Sequence, residues 1–372
     1  MPDLRSCRQP PTKLIYLPMF RPPSRIIHQP CSLLPGVLVP RRAAHIPSAF
    51  LLDNYIPRYK LLTDAQISRK KEQAIENLRK CNICPRMCNV NRLAGETGYC
   101  MVGEKAKVST IAPHFGEESC IQGTYGSGSV FFSGCSLRCS FCQNHDISHQ
   151  RAGFDLSPDE LADWFVKLQN LGNVHNINAV TPEHVVPQVA LAILAAIPMG
   201  LRIPIVYNTS SYDSPEALSL MDGLVDIYLA DFKLSSPASS KRLLKAEDYP
   251  KTARESIKIM HRQVGDLKFN FDGIAQTGLL VRHLVMPTYV EEGKEIMRYL
   301  AEHVSKDTYV HVMEQYRPAA HVGKMNRGKS GGMRYSEINR PVTDPEVDAV
   351  KLAAREAGLW RFVEESPHEG FR

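Results

Sequence analysis

The pattern of apolar and polar positions changes character twice along the chain. The first 50 residues hold ten of the 26 prolines and show no regular period. Residues 64–80 then place Ala65, Ile67, Ala74, Ile75 and Leu78 at helical spacing, predicting one buried helix face. From about residue 128, short apolar runs alternate with amphipathic ones. Strands are predicted over 130–133, 175–180, 203–207, 226–232, 279–286 and 309–314, with helices starting near 158, 182, 215, 249 and 291. Ser157-Pro158-Asp159-Glu160 sets a capping serine, a proline at the first helical position and a glutamate at the third. Thr181-Pro182, Ser214-Pro215 and Asp344-Pro345 repeat the cap-then-proline signal. The apolar run 185–199 contains Pro187, Gln188 and Pro198, which makes it a buried helix rather than a membrane span. A helix over 344–357 and a short strand over 359–363 follow. Strands alternating with helices predict an α/β fold with parallel strands and helical crossovers.

Composition adds one qualification. With 43% hydrophobic and 23% charged residues, the chain has a globular balance. Its net charge of +6 comes from residues 1–50, which carry seven Lys or Arg against the single acid Asp3. The other 322 residues balance 38 basic against 38 acidic side chains, so the folded part offers no electrostatic case for nucleic-acid binding. The basic leader has two readings, a mitochondrial targeting segment or a disordered tail. Prolines at 10, 11, 18, 22, 23 and 30 interrupt the amphipathic helix that targeting needs. A cytoplasmic location is expected, with the mitochondrial matrix as the alternative.

Ten cysteines bring in chemistry. Cys135, Cys139 and Cys142 form C-x3-C-x2-C directly after the apolar run 129–134. Thiolates are the ligands of iron–sulfur clusters, and three of them hold three irons of a [4Fe–4S] cube. No fourth cysteine follows, which leaves one metal position open for a substrate or cofactor, as in catalytic metal sites. The same spacing is also a helical stripe, but Ser133, Gly134, Ser136, Ser140 and Asn144 make a poor helix. A three-ligand zinc site is the other chemical reading. Cys81, Cys84, Cys88 and Cys100 form a second group, C-x2-C-x3-C-x11-C, which suits either a structural zinc or an auxiliary iron–sulfur cluster. Paired disulfides there would need an oxidising compartment. Cys7, Cys31 and Cys120 lie outside both groups.

The first cysteine loop, with Phe141 just before its third thiol, resembles the radical S-adenosylmethionine (SAM) superfamily. The resemblance implies a partial (β/α)6 barrel, a [4Fe–4S] cluster that chelates SAM, and an electron that cleaves the sulfonium to give a 5′-deoxyadenosyl radical for hydrogen abstraction. It also implies a low-potential electron donor, flavodoxin- or ferredoxin-like. Asp231-Phe232-Lys233 and the run 282–287 are similar to segments of the glycyl-radical-enzyme activases, which act on a protein partner. The 81–100 group, with residues 89–92 and 114–118, resembles an uncharacterised branch named only as pyruvate formate-lyase activating enzyme-like. In activases with extra clusters the added cysteines follow the radical SAM loop, whereas here they precede it.

The expected organisation is a tail over 1–60, a cysteine-rich extension over 61–125, a radical SAM core over 126–320, and a C-terminal helix and strand over 321–372. Ligands of α/β folds gather where strands end. That rule selects Phe141, Asn178, Thr181, Asn208, Ser210, Asp231, Lys233 and Arg282 as SAM contacts. The chain lacks the Gly-Gly-Glu type motif usual after the second strand, and Asn178 and Thr181 stand in its place. Alternation puts Asp231 and Lys233 on one face with Phe232 opposite. Arg282 in a buried strand needs an anionic partner or a ligand. The rival reading is a non-catalytic iron–sulfur or zinc-binding scaffold whose barrel does not turn over SAM.

Overall fold

The structure, a computed structural model, describes residues 46–326 and 331–363. In chain order its elements are α1 (Asp64–Arg79), β1 (Ala106–His114), α2 (Ser119–Gln122), β2 (Ser127–Phe132), α3 (His145–Gln150), β3 (Phe154–Leu156) and α4 (Pro158–Asn170). There follow β4 (Ile177–Val180), α5 (Val186–Ala196), β5 (Ile205–Thr209), α6 (Pro215–Met221), β6 (Ile227–Asp231), α7 (Pro237–Leu244) and α8 (Tyr249–Val264). The last are β7 (Lys268–Phe269), β8 (Ala275–Leu284), α9 (Val290–His303), β9 (Tyr309–Met313) and α10 (Asp344–Glu356).

All six predicted strands are present, and they pair in parallel in the order β2, β4, β5, β6, β8, β9. Every residue of β4 and β5 is buried, as a parallel sheet covered on both faces requires. β1 pairs antiparallel with the outer edge of β2, and β3 with β1. Among the described residues no pairing joins β3 to β9, so the six-stranded run is a partial barrel. Ser157 and Glu160 close a reciprocal cap on α4, as their spacing predicts. The apolar run after residue 185 is α5, buried on almost all sides. No helix of the described residues is long and apolar enough to cross a membrane.

Four expectations need correction. The helix predicted from 182 starts at Val186, because Thr181 takes φ +57° rather than the extended conformation of a cap. Its N–H donates to the Asn208 carbonyl at 2.8 Å, which draws the chain across to β5 before the helix begins. The strand predicted over 359–363 is reduced to a single bridge between Val310 and Phe362. The tail predicted through residue 60 is too long at its far end. Tyr59 is 1% exposed, and Asp226 gathers this segment by accepting from the Tyr55 hydroxyl at 2.6 Å and the Arg58 N–H at 2.8 Å. The rest of the tail, residues 1–45, and the targeting expectation lie outside the described residues. The extension over 61–125 is no separate body, since β1 belongs to the main sheet and α1 packs on α5.

Asp226 also accepts the Ile205 N–H at 2.7 Å, so one buried carboxylate joins the N-terminal segment to two strands. Asp226→Ala should therefore lower stability by about 3 kcal/mol, the cost of orphaning several buried donors. Urea unfolding measures this, and limited proteolysis should cut first between residues 46 and 61. Unchanged stability would contradict the role given to Asp226.

Candidate functional site

A cavity of about 560 Å³ opens at the C-terminal ends of the parallel strands. The segment after β2 forms one wall, with Cys135, Cys139, Phe141 and Cys142. Gly134, at φ +89°, starts this loop, and a Cβ there would stand 2.7 Å from the Cys100 carbonyl oxygen. Only glycine meets both demands. The Leu137 N–H donates to Cys135 Sγ at 3.3 Å, and Cys142 Sγ lies 3.3 Å from the Ser148 hydroxyl. Burial pushes the Cys135 thiol up to about 11 and the Cys139 thiol higher still. Metal ligation is what deprotonates such thiols. Cys120 is packed in a different core cluster with Ile121 and Phe269, so it supplies no fourth ligand to this wall. Two buried thiols and the half-buried Cys142 on one wall suit a cluster with one uncovered metal.

Charged groups from β6 and β8 line the same cavity. Lys233 Nζ lies 2.5 Å from Asp231 Oδ2, and Arg282 Nε donates to Asp231 Oδ1 at 2.8 Å. Arg282 also reaches Asn208 Oδ1 at 2.7 Å and Glu117 Oε2 at 3.3 Å. Burial opposes the charge on Asp231, but Arg282 and Lys233 outweigh it and hold the carboxyl at about 2. Glu117 sits farther from the guanidinium. Burial dominates there and raises it to about 7. Glu118 stays below its ordinary range despite burial, because His311 hydrogen-bonds it at 2.7 Å and Arg282 is near.

The structure brings most of the predicted contacts to one cavity. Phe141, Thr181, Asn208, Ser210, Asp231, Lys233 and Arg282 line it. Asp231 and Lys233 share the cavity face, while Phe232 is fully buried and packs edge-on to Tyr299. Asn178 is not on the wall. It is completely buried and donates to Glu117 at 3.1 Å. Ser210 spends its hydroxyl proton on Glu183, and Asn208 spends its amide on Glu117 and Arg282. Lys233 keeps two donors beyond the one on Asp231. Thr181 stands at the wall in a left-handed conformation that a β-branched residue rarely takes. Such strain concentrates at ligand sites.

Sequence reasoning missed the roles of Glu117 and Glu183. Glu117 sits beyond β1, a strand absent from the predicted set. Glu183 looked like a first-turn helix residue, yet it is fully buried and accepts the Ser210 N–H at 2.6 Å. His145, His149 and His321 were also unremarked. Their ring nitrogens lie mutually within 4.8 Å outside the cavity lining, and burial lowers His149 to about 4.

The second cysteine group lies behind the first loop. Cys81, Cys84 and Cys100 are buried, Cys88 is half-buried, and all four are free thiols. Arg86 donates to the Ser136 carbonyl at 2.8 Å and Arg138 to the Tyr99 carbonyl at 2.8 Å, so each loop holds the other.

Residues 129–300 match the sequence profile of the radical SAM superfamily. Uncharacterized protein MJ0674 of Methanocaldococcus jannaschii is 30% identical over 299 residues, covering 77% of this chain and 78% of its own. Among solved structures, SuiB of Streptococcus suis bound to S-adenosylmethionine aligns at TM-score 0.41 and 12% identity, over 63% of this chain and 48% of its own. TsrM of Kitasatospora setae, a radical S-adenosylmethionine methyltransferase, aligns at TM-score 0.40 and 12% identity, over 64% and 53%. The chain thus spans about half the length of these two solved proteins.

The Glu117 carboxyl gives a pH prediction. Its value rises from 4.5 in the free chain to about 7 when folded, so between these limits the folded state holds a proton that the unfolded state releases. Its contribution is full below 4.5 and is lost as pH climbs through 7. Glu117→Gln should flatten the fall in stability over that window in urea titrations. Identical slopes for the two proteins would contradict a raised Glu117.

Proposed function

The chain belongs to the radical SAM superfamily, and we propose that it reductively cleaves S-adenosylmethionine to draw a hydrogen atom from a substrate at the barrel mouth. Its cofactors are a [4Fe–4S] cluster and SAM. When bound, they supply one electron to the sulfonium and a 5′-deoxyadenosyl radical for hydrogen abstraction. The observation that carries the reading is that three thiols and the Asp231–Lys233–Arg282 network line one cavity.

In this reading Cys135, Cys139 and Cys142 hold the catalytic cluster. Lys233 meets the SAM carboxylate, and Thr181 meets its amine. Asp231 and Arg282 are positioning residues, Asp231 holding the Lys233 ammonium and Arg282 holding Asp231. Asn208 and Ser210 complete the wall beside the ribose, and Phe141 packs beneath the cluster loop against Tyr316, ring centroids 6.3 Å apart. Asn178 acts from behind, through Glu117. The residues Cys81, Cys84, Cys88 and Cys100 hold a second metal centre. A low-potential donor, flavodoxin- or ferredoxin-like, supplies the electron.

The substrate reading is a glycine of a partner protein. Its support is that the two activase-like segments meet in one ion-pair network, Asp231 lying opposite Arg282 in the β6–β8 register. Incubation with a glycyl radical enzyme should give its doublet in electron paramagnetic resonance, and retained 5′-deoxyadenosine formation with no glycyl signal from any such enzyme tested counts against it.

Two variants test the assignment. Anaerobically reconstituted protein given dithionite and SAM should form 5′-deoxyadenosine, and Cys139→Ala should abolish it. A Cys139→Ala protein with normal yield would refute the catalytic loop, and a wild type with none would favour the scaffold reading. Lys233→Met should weaken SAM binding by ~10- to 100-fold in calorimetry, the loss of one charged hydrogen bond, at unchanged iron content. Unaltered affinity would remove Lys233 from the site.

A further inference from the structure

Among the described residues, the Lys or Arg side chain with the least exposure sits among the N-terminal cysteines. Arg92 is 2% exposed, and among the described residues no carboxylate forms an ion pair with it. Its Nη1 donates to the His184 carbonyl at 2.8 Å. Its Nη2 reaches Cys81 Sγ at 3.1 Å and Cys100 Sγ at 3.5 Å, and its Nε is buried without a partner. A guanidinium stays charged in proteins, and a buried charge needs a counter-charge. Neutral thiols are weak acceptors and carry none. Thiolates held by a metal would supply that counter-charge.

Geometry narrows the identity of that centre. Four sulfurs bound tetrahedrally to zinc at ~2.3 Å stand ~3.8 Å apart. Among the described residues, no three of Cys81, Cys84, Cys88 and Cys100 bring their sulfurs mutually within 4.8 Å. A four-iron cube spaces its cysteine sulfurs more widely than a single ion does and accommodates that spread. Backbone and side-chain N–H groups turn toward the sulfurs as well, the Tyr99 N–H lying 3.4 Å from Cys88 Sγ. A Cβ on Gly98 would strike that sulfur at 2.6 Å, so the chain is drawn tightly around it.

We propose that Cys81, Cys84, Cys88 and Cys100 hold a second, redox-active [4Fe–4S] cluster, with the Arg92 guanidinium as its buried counter-charge. The inference rests on the metal-site reading of these four cysteines and is independent of the chemistry assigned to Cys135, Cys139 and Cys142. Arg92 is a positioning and charge-balancing residue here. Its positive charge and N–H···S bonds favour the reduced, more negative state. The centre is joined to the catalytic loop by short contacts. Tyr99 lies between two guanidinium groups, Arg86 at 4.3 Å and Arg138 at 4.8 Å from its ring centroid, and both arginines also bond across to the facing loop. One electron taken from a reduced ferredoxin-type donor would be stored on this centre, leaving the donor oxidised by one electron with no atom transferred.

The test uses the full chain purified without oxygen. Iron, sulfide and zinc are counted in the wild type, in a Cys135/Cys139/Cys142→Ala variant and in a Cys81/Cys84/Cys88→Ala variant, each checked for folding by circular dichroism. The expected result is about eight irons in the wild type and about four in each variant, as two four-iron clusters require. One zinc retained by the Cys135/Cys139/Cys142→Ala variant would overturn the proposal, as would the absence of metal from it. Failure of the catalytic reading looks different, because that variant would then carry as much iron as the wild type. Arg92→Gln and Arg92→Lys supply a second readout. In redox titrations followed by electron paramagnetic resonance, Arg92→Gln should lower the midpoint potential of the second cluster, and Arg92→Lys should restore most of it. A midpoint unmoved in Arg92→Gln would overturn the counter-charge role.

Discussion

The site depends on the register between β6 and β8. That register sets Asp231 directly opposite Arg282, and alternation turns both, with Lys233, toward the cavity. A slip of one residue would send these charges into the helix layer and bring Phe232 to the cavity. Burying two cations and an acid is costly unless they satisfy one another. Here Arg282 divides its donors among Asp231, Asn208 and Glu117. Three strands and the segment after β1 are thereby tied at the barrel mouth, and one ammonium is left with donors to spare.

The same economy governs the cysteine wall. The Cys135–Cys142 loop follows β2 directly, and β2 is held between parallel β4 and antiparallel β1. Gly134 lets the Cys100 carbonyl approach, so the N-terminal cysteine segment forms the floor on which the loop rests. Arg86 and Arg138 cross between the two segments in opposite directions. The two cysteine segments are therefore held side by side by backbone and guanidinium contacts that do not involve the thiols.

The sequence was most legible where local signals agree with the fold. All six parallel strands, the span of α1, the capping of α4, and the faces of Asp231 and Lys233 follow from period, cap residues and alternation. The place of the cysteine loop at a strand end was legible because an apolar run gives way there to glycine and serines. Legibility failed where tertiary contacts override local preference. Thr181 carries a cap signal, yet its backbone bonds across to β5 and the helix begins later. Tyr55 to Tyr59 follow a proline-rich stretch, yet Asp226, more than 160 residues away, organises them. Glu117 and Arg92 gave no periodic signal at all, since a buried charge is defined by partners distant in sequence. Arg282 was recognisable as a residue in need of a counter-charge, and the structure supplies it from the protein.

The central claim is that the Cys135–Cys139–Cys142 loop and the Lys233 wall enclose one shared ligand. The most direct measurement is the electron paramagnetic resonance spectrum of the reduced, reconstituted Cys81/Cys84/Cys88→Ala protein, recorded with and without SAM. The account predicts a reduced-cluster signal whose g-values shift when SAM is added. A signal indifferent to saturating SAM would separate the thiol loop from the Lys233 wall and contradict the account.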